Sequence, residues 1–90
     1  MSSIQEILAR EAREAGMRPA HLLEHDRRPH MLAVRFRVYW LMRQTGASYP
    51  QIGKLMNRTH ATIMSGVKRY ERDYRSGYNR GAGNDPGVNQ

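Results

Sequence analysis

Four consecutive residues, Thr59, His60, Ala61 and Thr62, have side chains suited to reading the edges of DNA bases. Imidazole and hydroxyl groups donate or accept hydrogen bonds there, and the alanine methyl can contact a thymine methyl. The surrounding pattern predicts a short helix, a tight turn at Asn57-Arg58 and a longer helix, which is typical of a helix-turn-helix motif. An ordinary helix hairpin with polar residues facing water is the alternative, because such patterns are short and degenerate.

A block of positive charge surrounds this stretch. Residues 27–70 contain nine arginine and lysine residues and no aspartate or glutamate, in a chain of 90 residues with a formal net charge of +7. A contiguous acid-free segment of this kind favours a polyanionic partner such as nucleic acid. A basic surface that only keeps the protein soluble is the competing interpretation.

Other kinds of chemistry have little support in the sequence. The absence of cysteine excludes disulfides, thiolate zinc sites and a cysteine nucleophile. No Ser-His-acid arrangement and no paired buried carboxylates can be placed, so we expect neither an enzyme nor a cofactor. His21 and His25 are one helical turn apart, with His30 nearby, but no third ligand is fixed in geometry. We interpret them as surface histidines and expect no metal.

The elements that must position these residues are all predicted to be helical, because no strand pattern is present. Apolar spacing, proline and glycine positions and capping residues predict five helices, at about residues 4–15, 19–25, 29–44, 49–56 and 59–75. Ser3 with Glu6 and Ser48 with Gln51 form capping boxes, and Thr59 can cap the fifth helix. We therefore predict a small all-α bundle that ends in a helix-turn-helix.

The predicted core centres on the third helix, which is apolar on two faces. Phe36 and Trp40 are interpreted as core residues there rather than as a stacking platform for single-stranded nucleic acid. The fifth helix is expected to bury Ile63, Val67, Tyr70 and Tyr74. Gly66 interrupts this helix at a cost of about 1 kcal/mol relative to alanine. It either permits close approach of the backbone or is only tolerated.

Composition also predicts the domain limits and the compartment. Residues 1–75 are predicted to form one DNA-binding domain, and the glycine-rich residues 76–90 a disordered tail with little to bury. No apolar run approaches the roughly 20 residues of a membrane span, and the N-terminus lacks a basic region followed by an apolar stretch. We therefore expect a soluble cytoplasmic protein that does not bind membranes.

The stretch from Ser48 to Ile63 resembles the signature of the C-terminal DNA-binding domain of the bacterial replication initiator DnaA, roughly S-L-P-E-I-G-x-x-F-G-G-R-D-H-T-T-V. Isoleucine replaces the final valine, and the matched positions include Ser48, Pro50, Ile52, Gly53, Arg58, His60 and Thr62. The Arg27-Arg28-Pro29-His30 loop and the helix with Arg35 and Trp40-Leu41 resemble that domain's basic loop and its R-Q-x-A-x-Y-L helix. The resemblance covers about residues 4–72.

The resemblance implies a Trp-repressor-like helix-turn-helix fold and a role for each matched residue. The implied major-groove contacts are Thr59, His60, Ala61 and Thr62, and the implied minor-groove contacts are Arg27 and Arg28. The expected phosphate contacts are Arg35, Lys54, Arg58, Ser65, Lys68 and Arg69. Thr59 stands where the family has aspartate and Ala61 where it has threonine, and the turn is one residue shorter. Because aspartate accepts hydrogen bonds from cytosine and threonine need not, the resemblance predicts duplex binding without fixing the target sequence.

The chain lacks the phosphate-cradling G-x-x-x-x-G-K-[ST] loop that the initiator's ATPase requires. We therefore predict a sequence-specific double-stranded DNA-binding regulator of transcription or replication, of bacterial or phage type. The alternative is a protein-interaction module that binds DnaA or RNA polymerase through the same fold. The sequence leaves the target site, the sign of regulation and the oligomeric state open.

Overall fold

The computed structural model describes residues 3–25 and 28–75. Within those residues the chain forms five α-helices and no strand, which confirms the all-α prediction. The helices are α1 (Ile4–Glu14), α2 (Pro19–Leu23), α3 (Pro29–Gln44), α4 (Tyr49–Met56) and α5 (His60–Asp73). The predicted disordered tail, residues 76–90, lies outside the described residues.

Local capping chemistry begins three of the helices as predicted. In the first capping box, the Glu6 N–H donates to Ser3 Oγ at 3.1 Å and the Ser3 N–H to Glu6 Oε1 at 2.7 Å. Ser48 and Gln51 form the same pair of bonds at the start of α4. Thr59 caps α5. Each cap satisfies backbone donors that a helix start otherwise leaves unpaired.

Two helices end earlier than the sequence pattern predicts. The α2 helix ends at Leu23 rather than residue 25, because Glu24 adopts extended backbone with ψ 167°. The α5 helix ends at Asp73, since Tyr74 leaves the helical region with φ −127°. Tyr74 is consequently 41% exposed, and its predicted burial is wrong.

The α3 helix lies at the centre and contacts each of the other four helices. The buried apolar side chains of all five helices meet around it, and they include Ile7, Leu8, Leu22, Val38, Tyr39, Met42, Ile52, Met56, Ile63 and Val67. Phe36 and Trp40 pack against this core while remaining partly exposed, which is consistent with their interpretation as core residues. Burial of these side chains is the main source of the bundle's stability.

Gly66 allows α3 and α5 to pack closely. A Cβ atom at this position would lie 2.6 Å from Tyr39 Cδ2 and 3.0 Å from Phe36 Cδ1. Tyr39 is 1% exposed, so its ring has little room to move. Close approach of the backbone is therefore the reason for this glycine, and the penalty in helix propensity is offset by packing.

A buried carboxylate attaches α1 to the rest of the bundle. Glu11 accepts hydrogen bonds from Arg37 Nε at 2.8 Å and from Arg10 Nε at 3.3 Å. The hydrogen bond that Arg37 donates to Glu11 raises the pKa of Arg37, whose Nη1 also donates to the Tyr70 hydroxyl at 3.3 Å. These contacts join α1, α3 and α5.

Across residues 3–25 and 28–75, no helix is long and apolar enough to cross a membrane.

Candidate nucleic-acid interface

A residue in the left-handed backbone conformation makes the turn between α4 and α5. Asn57 follows α4 with φ 57° and ψ 48°, a conformation that asparagine adopts more readily than most residues. The Arg58 N–H then donates to the Gly53 carbonyl at 2.8 Å. A Cβ on Gly53 would lie 2.5 Å from the Arg58 carbonyl oxygen and 3.4 Å from the His60 nitrogen. Glycine at residue 53 therefore sets how closely the start of α5 packs against α4.

The first turn of α5 carries the four predicted major-groove residues, and all four are exposed. Thr59 Oγ1 accepts from the Thr62 N–H at 3.2 Å and lies 3.0 Å from Thr62 Oγ1, so the two hydroxyls are joined to each other. Within the described part of the chain, the His60 side chain makes no hydrogen bond or ion pair. His60 is thus the polar side chain of this turn that is not already engaged.

The predicted phosphate contacts Lys54, Ser65, Lys68 and Arg69 are also exposed, the first on α4 and the others on α5. An open groove of about 660 Å³ runs between α3 and α5, and its lining includes His25, Phe36, Arg58, Thr62, Ser65 and Arg69. The structure therefore brings the predicted major-groove residues and several of the predicted phosphate contacts to neighbouring positions.

Arg35 lines the same groove, but its side chain is turned into the protein and almost fully buried. The residue is 4% exposed, its Nε donates to the Leu22 carbonyl at 3.1 Å, and its Nη2 donates to the Glu24 carbonyl. These carbonyls lie at the C-terminal end of α2, where helical partners are missing. Arg35 therefore has a structural role, since it holds α2 against α3, and its burial disfavours the phosphate contact, which stays a prediction.

Arg58 holds the same end of α2 against the turn of the helix-turn-helix. Its Nη1 donates to the carbonyls of Leu23 at 3.0 Å, Met56 at 3.2 Å and Asn57 at 3.0 Å, and its Nη2 donates to the Glu24 carbonyl. This half-buried guanidinium joins the end of α2 to the turn before α5, two segments that are distant in sequence. A phosphate contact through Arg58 stays a prediction, since the residue also lines the groove.

We expect replacement of Arg35 by methionine to destabilise the fold while leaving the salt dependence of DNA binding unchanged. The buried Leu22 carbonyl would lose a donor, which typically costs about 1–3 kcal/mol of unfolding free energy. Chemical denaturation and binding titrations measure the two effects. Exposed Lys68 is the matched control, because Lys68→Ala should leave stability within about 0.5 kcal/mol and reduce the salt slope by about one. A smaller salt slope for Arg35→Met without loss of stability would instead support the phosphate contact.

The two predicted minor-groove arginines, Arg27 and Arg28, precede Pro29 in the sequence. Arg27 lies outside the described residues. Arg28 is exposed and immediately precedes Pro29, the first residue of α3. A minor-groove role for either arginine therefore stays a prediction.

Among the described residues, no group of three or more histidine, aspartate or glutamate side chains is arranged to hold a metal ion.

Sequence reasoning missed the role of Asp73 on this surface. Its carboxylate accepts hydrogen bonds from Arg69 Nε at 3.0 Å and from Arg72 Nε at 2.8 Å and Nη2 at 2.9 Å. The bond from Arg72 is the main reason that the pKa of Asp73 falls to about 2, and Arg69 lowers it further. The four-residue spacing of Arg69 and Asp73 is a signal for such a pair that is visible in the sequence.

Comparison with known proteins assigns the fold to a family. The family model described as the bacterial DnaA protein helix-turn-helix matches residues 2–69. The chain belongs to this family. Members of the DnaA helix-turn-helix family are DNA-binding domains and not a class of enzymes, and their ligand is double-stranded DNA. Comparisons with curated proteins and with solved structures give no significant match.

Thr59, which stands where the DnaA signature has aspartate, preserves the N-cap of α5. Aspartate and threonine are both favourable N-cap residues, and Thr59 performs that role here through its hydrogen bond from the Thr62 N–H. The cap is therefore kept, while the negative charge beside His60 is absent. A hydroxyl that is already shared with Thr62 replaces a carboxylate that could accept from a base.

Proposed function

We propose that this protein is a sequence-specific double-stranded DNA-binding regulator of transcription or replication, and that α5 enters the major groove. The observation that carries the proposal is the exposed first turn of α5, where the side chain of His60 is not engaged with the described residues. Residues near the start of a recognition helix are those that reach base edges in helix-turn-helix proteins. His60 is accordingly the principal base reader in this proposal, with Ala61 and Thr62 beside it.

Cations on both helices of the motif support the proposed docking. Lys54 on α4 and Lys68 and Arg69 on α5 are exposed, and Ser65 lies between Ala61 and Arg69 along the groove. Contacts of this type fix the register of a protein on the duplex without reading its sequence. The acid-free segment 27–70 adds a long-range attraction to the phosphate backbone.

The minor-groove part of the proposal places Arg27 and Arg28 on the flank of the site. Arg58 bonds to the carbonyls of Leu23 and Glu24, so the described residues that lead toward this segment are tied to the turn before α5. Arginine inserted into a narrow minor groove favours A·T-rich flanks. We therefore propose that α5 reads the major groove while Arg27 and Arg28 contact the minor groove beside it.

The decisive experiment measures binding of the full chain to duplexes selected from a random pool. We expect binding without nucleotide and without metal, and a plot of log K against log salt concentration with a slope near −5 if about six phosphates are neutralised. Fluorescence anisotropy at several salt concentrations, repeated with ATP and with a chelator, provides the measurement. A slope near zero, a requirement for ATP, or loss of binding in the presence of the chelator would overturn the proposed function. The protein-interaction alternative would then be the one to pursue, by testing DnaA and RNA polymerase as ligands.

A further inference from the structure

A carboxylate lies among the cations on the exposed side of α5. Asp73, the last residue of this helix, bonds to Arg69 through Oδ2 and to Arg72 through both oxygens, at distances of 2.8 to 3.0 Å. The two arginine side chains are 50% and 70% exposed. Asp73 therefore engages guanidinium donors that are otherwise open to a ligand from solution.

Arg69 occupies a position that bears directly on DNA binding. It lines the groove between α3 and α5 together with Thr62 and Ser65, and its guanidinium lies 5.7 Å from the centroid of the Phe36 ring. Residues 62, 65 and 69 share one side of the helix because of their spacing. The proposed phosphate contact and the pair with Asp73 thus use the same guanidinium.

We propose that Asp73 competes with DNA phosphate for Arg69 and Arg72, and so lowers the affinity of this protein for every duplex. The inference rests on the proposed function. Arginine binds carboxylate and phosphate through the same planar set of donors, so a donor held by Asp73 must be released or shared before a phosphate can use it. An exposed ion pair is weak, so the competition changes affinity by a modest factor and does not abolish binding.

The acidic residues of α5 provide a matched pair of variants. Asp73→Asn removes the competing charge, whereas Glu71→Gln removes an equal charge from a carboxylate that accepts from Trp40 Nε1 at 3.2 Å. Both variants change the net charge by the same amount, so a general electrostatic effect appears in both. We expect Asp73→Asn to bind a given duplex about two- to fivefold more tightly than Glu71→Gln. Its salt slope should be steeper by about one, because one more phosphate is neutralised.

A second set of variants tests whether the effect of Asp73→Asn on affinity depends on Arg69 and Arg72. In a chain that carries Arg69→Gln and Arg72→Gln, the gain from Asp73→Asn should disappear, because no competed donor is left. Thermal unfolding of each variant confirms that it is folded at the temperature of the binding titrations. The expected result is therefore a gain that is specific to residue 73 and dependent on residues 69 and 72.

Equal affinities and slopes for Asp73→Asn and Glu71→Gln would overturn the inference, as would a gain that persists without the two arginines. Weaker binding by Asp73→Asn would also overturn it, since Asp73 would then orient the arginines for phosphate. These outcomes are distinguishable from failure of the proposed function. If the proposed function failed, the parent chain itself would show no salt-dependent binding to duplex DNA.

Discussion

Replacement of Gly53 by alanine is expected to lower the free energy of unfolding by at least about 2 kcal/mol. The new Cβ would lie 2.5 Å from the Arg58 carbonyl oxygen, and that contact is with backbone rather than with the movable end of a side chain. The gain in helix propensity, about 1 kcal/mol, is too small to offset such overpacking. The turn must shift to relieve the contact, so the start of α5 moves relative to α4. Urea denaturation monitored by circular dichroism measures the loss.

The neighbouring exposed residue Lys54 provides the control for this prediction. Lys54→Ala leaves the same methyl side chain at an exposed position of α4, and its unfolding free energy should change by less than about 0.5 kcal/mol. If Gly53→Ala were as stable as Lys54→Ala, the close approach between α4 and the turn would not be a constraint on this fold. The left-handed Asn57 alone would then have to account for the position of α5.

Replacement of His60 by alanine is expected to remove about 1–3 kcal/mol of binding free energy on the preferred duplex and much less on a scrambled one. The imidazole lies in the exposed first turn of α5 and is not engaged with the described residues, so its loss should remove the proposed base contact without disturbing the fold. Because specificity is the difference between the two affinities, it should largely collapse. Competition titrations with the selected and scrambled duplexes measure that difference directly.

His21 is the matched control, since it is an exposed histidine on α2 rather than α5. His21→Ala makes the same chemical change and should leave both affinities nearly unaltered. If His60→Ala instead lost the same free energy on both duplexes, α5 would not be the recognition helix. The major-groove assignment of Thr59, Ala61 and Thr62 would then have to be withdrawn with it.

The features that could be predicted from the sequence are those set by short-range chemistry. A serine followed three residues later by glutamate or glutamine satisfies backbone donors at a helix start, and both such boxes are present. The helix-turn-helix was likewise predictable, since the helix lengths and the turn are local. The match of residues 2–69 to the DnaA family is consistent with the motif between Ser48 and Ile63.

The features that could not be predicted depend on packing between distant segments. Arg35 and Arg58 belong to the same acid-free block as Lys68, and no local pattern distinguishes a buried arginine from an exposed one. Their bonds to Leu22, Leu23 and Glu24 exist because α2 ends early and leaves carbonyls without helical partners. Only the three-dimensional fold brings α3 and the turn before α5 to that helix end.

The central position of α3 has a consequence for cooperativity. Because α3 contacts each of the other helices, neither α1 nor the α4–α5 pair has a core of its own. Local opening of one helix exposes surface that belongs to all of them, so the bundle should unfold as a single unit. A ligand that binds only the folded state stabilises that whole unit. If α5 binds DNA as proposed, the binding free energy should therefore also slow hydrogen exchange at the backbone amides of α1, a helix that is not proposed to contact the duplex.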